Sequence, residues 1–248
     1  MINNIKTYIL HSAFEKDRIA RVNILREKFK YFTVIESIYQ SNTHIPFLQP
    51  IIEISKERTG KALMATEVAC LLGHRRILRE IVKIATNNQE HFLILESDSK
   101  ILDHRLLETY YEPVSKKYDL FFWGAWEGNA KIKRSTTLII QDDKNTKYRI
   151  GEPLLNTIYC AYGYSINKPT AEYLLKKTSI ISTPYDIFKQ FIDPQKIKIG
   201  AIVHEIITTT DKDNRGSYIR KTNFKHYIRK AALILILNIR NTIRAYFS

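Results

Sequence analysis

Two acids one residue apart, Glu96 and Asp98, close an otherwise apolar run, Phe92-Leu93-Ile94-Leu95. Hard carboxylate oxygens at that spacing, with coordination positions left over, suit Mg2+ or Mn2+ bridging a substrate's phosphates. Such an ion would neutralise the charge developing on a departing diphosphate. Asp98 is the expected metal ligand, with Glu96 beside it or one layer behind. By spacing alone, two solvated acids in a turn are the more ordinary reading. Glu67 and His74 lie seven residues apart, two helical turns, and therefore share a face of any helix that carries them. Arg18 can meet a phosphate or simply pair with Glu15 one helical turn away. The chain has no Gly-rich phosphate loop and no Gly-x-Ser-x-Gly elbow, and His91 and His204-Glu205 lack metal-ligand partners at helical spacing.

The elements that must position these groups follow from periodicity. Ile5 to Leu10 reads as a buried strand. Asp17 to Phe29, apolar at Ile19, Val22, Leu25 and Phe29, reads as an amphipathic helix, and Phe32 to Ile35 as a second strand. Strand, helix, strand at the start of a chain predicts a parallel sheet with a crossover helix. Ser41 to Thr59, polar and holding Pro46 and Pro50, reads as a loop. Thr66 to Ala85 is the longest helical stretch, and the run at His91–Leu95 is a strand with the acids at its carboxyl end. In open parallel sheets that edge is where ligands bind. Tyr118 to Trp123 repeats the pattern and runs into Gly124-Ala125-Trp126-Glu127-Gly128; residues 129–157 suggest a hairpin or mobile loop. Further pieces are a strand at Tyr159–Ile166, a helix at Pro169–Leu175, a short helical piece at Asp186–Ile192 and a strand at Ile197–Val203.

Composition bounds the function. The chain has 248 residues, 44% of them hydrophobic and 26% charged, with 8 Gly and 7 Pro, which excludes disordered, collagen-like and low-complexity classes. Two cysteines, Cys70 and Cys160, are too few for a disulfide framework and suit a reducing compartment. No segment is long and apolar enough to span a bilayer, and the first residues lack the pattern of a secretory signal.

The formal charge of +14 is uneven: from Arg215 onward there are eight basic residues and no acid. Within that stretch Ala231 to Leu237 is apolar, followed by Ile239, Ile243, Tyr246 and Phe247. Basic residues around a short apolar stretch suit an interfacial helix on anionic lipid, with Lys221, Lys225, Arg229 and Lys230 at the headgroups. The alternative is a helix packed on the domain with its charges in solvent. Nucleic acid fits least, because the basic segment lacks interleaved stacking aromatics. We expect one α/β domain, residues 1–214, and a basic amphipathic extension, residues 215–248.

Glu67-Val68-Ala69-Cys70-Leu71-Leu72-Gly73-His74, followed some twenty residues later by Leu93-Ile94-Leu95-Glu96-Ser97-Asp98, resembles glycosyltransferase family 25, the bacterial lipopolysaccharide and lipooligosaccharide transferases. Three further pieces are similar to it, in the same order along residues 5–220: Ile9-Leu10 with Arg18, Ala161 to Ile166 with Ala171 and Leu174-Leu175, and Thr183-Pro184-Tyr185-Asp186. The chain departs from the family pattern where Ser97 replaces an acid, Gly73 a serine, and Leu10-His11 an Asn-Leu pair.

The resemblance implies a GT-A-like fold, with a mostly parallel central sheet flanked by helices. It implies an inverting transfer of galactose or a similar hexose from a nucleotide sugar, a UDP-sugar by preference, to a lipid-linked oligosaccharide. It places Arg18, Glu67, His74, Glu96 and Asp98 on the donor side and Mn2+ or Mg2+ on Asp98 and Glu96. His74 or Arg75 would meet a phosphate. An inverting displacement needs one base for the acceptor hydroxyl. Asp186 is the first candidate, with a helix N-cap as its alternative role, and Glu127 is the second. Trp123 and Trp126 are candidates for stacking on a sugar, Trp123 fitting a core role better. The expected setting is the cytoplasmic face of the bacterial inner membrane, reached peripherally through the basic tail. The competing class is a non-catalytic basic module that binds anionic lipid or nucleic acid on a degenerate transferase fold.

Overall fold

The computed structural model describes residues 2–37, 45, 47–125, 129–142, 145–209 and 224–248, with side chains in the last stretch described from Ile236 onward. The strands are β1 (Ile2–His11), β2 (Phe29–Glu36), β3 (His91–Glu96), β4 (Ser99–Ile101), β5 (Leu120–Phe122), β6 (Leu138–Gln141), β7 (Lys147–Gly151), β8 (Gly163–Asn167), β9 (Ile199–Val203) and β10 (Ile207–Thr209). The helices are α1 (Ile19–Lys28), α2 (Leu48–Thr59), α3 (Ala65–Ile84), α4 (His104–Lys117), α5 (Lys168–Lys177) and α6 (Phe224–Phe247).

An eight-stranded sheet runs in the order β2-β1-β3-β8-β5-β9-β7-β6, and β4 pairs with β10 in a separate two-stranded sheet. β8 and β7 run against the other six strands of the large sheet. The result is a mixed α/β fold with a large, mostly parallel central sheet between helices. β3 lies in its middle, parallel to β1 and antiparallel to β8.

Side-chain alternation along β3 decides what its end can touch. Phe92 and Ile94 join Leu71, Ile77, Leu78 and Ile81 of α3 and Leu174 of α5 in one core. Leu93 and Leu95 join Val22 and Leu25 of α1 and Leu106, Leu107 and Val114 of α4 in the other. By the same parity Glu96 belongs to the α3 face and Ser97 to the α1 face. Trp123 is wholly buried and its indole N–H donates to Ser165 Oγ at 3.1 Å, which settles it as a core residue.

Two helices differ from the expected reading. The segment Ser41–Thr59, expected to be a loop, contains α2; Pro50 falls in its first turn, where no backbone N–H is needed, and Gly60 at φ 71° ends it. No helix was expected at 104–117, yet α4 occupies it, capped by Asp103 Oδ1 accepting from the Leu106 N–H at 2.9 Å. Beyond β5 the chain passes so close to β10 that a Cβ on Gly124 would lie 1.8 Å from the Ile207 carbonyl oxygen, so only glycine fits there.

The last turns of α6 rest on the domain. Asn241 and Ala245 are buried, Asn156 Nδ2 donates to Asn241 Oδ1 at 2.9 Å, and the Arg134 guanidinium lies 4.3 Å from the Tyr246 ring centroid. No helix among the described residues is long and apolar enough to cross a membrane.

Candidate active site

The end of β3 divides its polar groups between two helices, as parity requires. On the α1 side, Ser97 Oγ donates to Glu15 Oε2 at 2.8 Å and receives Arg18 Nη1 at 3.2 Å. Arg18 Nη1 also bonds Glu15 Oε1 at 3.1 Å, and its Nη2 stands 3.5 Å from Asp98 Oδ2. Arg18 thus pairs with Glu15, one of the two roles considered for it, and its guanidinium also reaches the turn between β3 and β4. Ser97, where the family pattern has an acid, serves as a hydrogen-bond bridge in that pairing.

On the α3 side, Glu96 Oε1 meets His74 Nε2 at 3.1 Å and receives the Cys70 thiol at 3.8 Å. His74 Nδ1 lies 3.1 Å from Tyr164 Oη, and Tyr164 Oη lies 2.9 Å from Tyr185 Oη. The Tyr185 ring stacks on His74 at 4.3 Å between centroids, 12° from parallel. Cys70 and His74 are four apart on α3 and so point the same way. The backbone beneath is pinned, because the Glu96 N–H donates to Ser99 Oγ at 3.0 Å and Ser99 Oγ donates to the Tyr162 carbonyl.

Tyr185 and Phe188 are both buried, and the turn between them, closed by the Ile187 N–H to the Pro184 carbonyl at 3.3 Å, carries Asp186 to this side of the sheet. Burial and the charges of Glu96 and then Glu67 push the Asp186 carboxyl up to about 6, partly offset by backbone hydrogen bonding and His74. The short 3-10 helix that follows, Phe188–Gln190, has Ile187 at its N-cap position with no side-chain cap, so Asp186 is not that cap. Burial pushes the Cys70 thiol well up, and Glu96, Asp186 and Asp98 add to it. Glu67 closes the first turn of α3, accepting the Met64 N–H at 2.9 Å.

The structure thus brings Glu67, His74, Glu96 and Asp186 together on one face of β3 and joins Arg18 to Asp98 on the other. His74, fully buried, reaches the site only through Glu96; Arg75 donates to the Leu175 carbonyl at 2.7 Å and Thr178 Oγ1 at 2.6 Å and is committed to α5. Glu127, Trp126 and Lys221 lie outside the described residues, and Lys225, Arg229 and Lys230 fall on α6 before its described side chains. The sequence reading did not foresee the roles of Cys70, Tyr164 and Tyr185. The i, i+4 spacing of Cys70 and His74 was the available sign; the tyrosines come from elements about ninety to over a hundred residues downstream and carried none.

The sequence model of glycosyltransferase family 25 (LPS biosynthesis protein) matches residues 6–189, most of the chain and every element of this site. The chain belongs to glycosyltransferase family 25. This family 25 protein is therefore a glycosyltransferase of lipopolysaccharide biosynthesis. No curated protein sequence matches it. Among solved structures it is similar to the 4-diphosphocytidyl-2C-methyl-D-erythritolsynthase of Anaerococcus prevotii DSM 20548, at 14% identity over 86% of this chain and 95% of that one, with a TM-score of 0.35. At that score the likeness carries no argument.

Proposed function

We propose that this family 25 transferase has a GT-A-type site. It moves galactose or a similar hexose from a nucleotide sugar, UDP-linked by preference, to a lipid-linked oligosaccharide, inverting the anomeric carbon. The observation that carries the reading is the placing of Asp186. A carboxyl pushed up to about 6 by burial and the Glu96 charge stands near the strand end that holds Glu96. A base in that range takes a hydroxyl proton effectively at ordinary pH. Asp186 removes the acceptor proton as the new glycosidic bond forms and the bond to the diphosphate breaks. Arg18, held by Glu15 and Ser97, offers its charge to that diphosphate. Glu127 remains the alternative base.

The metal reading is compatible with the donor set. Glu96 turns to α3, bonded to Cys70 and His74, while Asp98 sits 3.5 Å from the Arg18 guanidinium, so Asp98 is kept as the carboxylate ligand of a hard ion, with Glu96 one layer behind. Bound there, Mn2+ or Mg2+ would neutralise the leaving diphosphate. A panel of nucleotide sugars in a thermal-shift assay, with and without Mn2+, tests the donor. One nucleotide class is expected to raise the melting temperature, since a ligand bound only by the native state stabilises it. No response to any nucleotide sugar, alongside salt-sensitive binding to polyanions, would turn the reading toward a non-catalytic binding module.

The proposed membrane contact is supported by α6. Ile236, Ile239, Ile243 and Phe247 are more than half exposed at spacings of three and four, in a helix whose tail holds basic residues and no acid. Each Lys or Arg near an anionic surface adds on the order of 1 kcal/mol. The double substitution Ile239→Glu, Ile243→Glu, at positions already in solvent, is expected to abolish co-sedimentation with anionic vesicles and leave the melting temperature unchanged. Undiminished sedimentation would remove α6 from the contact.

A further inference from the structure

Cys70, His74 and Glu96 each offer one ligand atom, and the three atoms all lie within 4.8 Å of one another. This is the one such group of His, Cys, Asp and Glu among the described residues. In a tetrahedral zinc site with Zn–S of about 2.3 Å and Zn–N or Zn–O of about 2.0–2.1 Å, neighbouring ligand atoms stand roughly 3.3–3.6 Å apart. The distances here, 3.1 Å from His74 Nε2 to Glu96 Oε1 and 3.8 Å from Cys70 Sγ to the same oxygen, bracket those values. A thiolate, an imidazole and one carboxylate form a borderline-to-soft donor set, suited to Zn2+ and poorly suited to Mg2+.

We infer that Cys70, His74 and Glu96 form a second, transition-metal site on the α3 face of β3, one that takes Zn2+ or a cation of its class and is distinct from the hard-ion position at Asp98.

The surroundings are built for it. α3 presents Cys70 and His74 from consecutive turns, and β3 fixes Glu96, so the three ligands come from two regular elements. Outside the ligands, Tyr164 Oη is placed to accept the Nδ1–H of His74 and to donate in turn to Tyr185 Oη. With an ion on Nε2 in place of its hydrogen bond to Glu96, that arrangement would hold the Nδ1–H tautomer, the orienting layer that metal-bound histidines ordinarily have. On binding, the Cys70 thiol gives its proton to solvent and the imidazole moves its own from Nε2 to Nδ1, so one proton is released per ion. The ion holds Glu96 against α3 and adds positive charge beside Asp186, so Zn2+ inhibits transfer by taking a residue that the donor side uses.

Cobalt(II) titration of the purified protein tests the site without any sugar or acceptor. One equivalent is expected to produce the near-ultraviolet thiolate-to-cobalt charge-transfer band and tetrahedral visible bands, all erased by added Zn2+. Cys70→Ser is expected to lose the charge-transfer band and Cys160→Ala to keep it. A second measurement needs no variant: Zn2+ is expected to slow alkylation of Cys70 by iodoacetamide at least tenfold, read by peptide mass spectrometry, with Cys160 unaffected. Absence of the band in the wild type, its survival in Cys70→Ser, or equal alkylation of Cys70 with and without Zn2+ would overturn the assignment. Loss of the nucleotide-sugar response alone would leave it standing, so the two readings fail separately.

Discussion

Asp186→Asn is expected to abolish transfer and at the same time make the protein harder to unfold. As the proposed base, its removal lowers kcat by about 10²–10⁴-fold, the range that general-base catalysis supplies, while donor binding read by thermal shift persists. The stability change has its own sign. The folded carboxyl titrates at about 6 against an ordinary 3.8, so ionising it costs the folded state more than the unfolded one. Stability is therefore lost as pH rises from about 4 to about 6, and the loss is complete at neutral pH. At about 1.36 kcal/mol per unit the shift bounds the gain on neutralisation at roughly 3 kcal/mol, and the lost hydrogen bonding reduces it to about 1–2 kcal/mol. Denaturant melts at pH 7 and pH 4 check this: the variant's advantage should appear at the first and vanish at the second. In the wild type kcat/KM should rise as pH passes through about 6. A variant that is inactive and also less stable at pH 7 would mean that Asp186 supports the fold rather than the reaction.

Asp98→Asn is expected to lower turnover by about 10²–10³-fold, the loss that follows removal of one group stabilising charge in a transition state. The motive is its place in the turn beyond β3, within 3.5 Å of the Arg18 guanidinium. Asparagine keeps the shape but offers an ion a far poorer ligand. Arg18 retains Glu15 at 3.1 Å, so the fold should survive with a cost of about 1 kcal/mol. Circular dichroism and a denaturant melt verify the fold, and single-turnover kinetics with the donor found by thermal shift verify the loss. Unchanged turnover would remove Asp98 from the site and leave Arg18 without its proposed task.

Much of this architecture was legible in the residues. The apolar run at 92–95 ending in acids is readable because a strand buried on both faces has no polar position to spare, so polarity returns only where the strand leaves the core. α3 was equally plain from its apolar spacing. α2 and α4 were not. Pro50 looks like a breaker until its position in the first turn is known, and α4 carries Pro113 inside it among polar neighbours. The site was half legible. Glu96, Asp98 and Asp186 stand out as acids against apolar runs. That Glu96 and Asp98 would turn to opposite helices depends on the pleat and on the β3–β4 turn, and no count of spacing contains the partners at Arg18 and His74.

The bonded row from Glu96 through His74 and Tyr164 to Tyr185 ties together β3, α3, β8 and the segment bearing Asp186. Chimeras that graft the acceptor-side half of one family member onto the donor-side half of another must therefore exchange His74, Tyr164 and Tyr185 as a matched set. A mismatch at any one of them would misalign Glu96 and the segment bearing Asp186 at once, although neither had been touched.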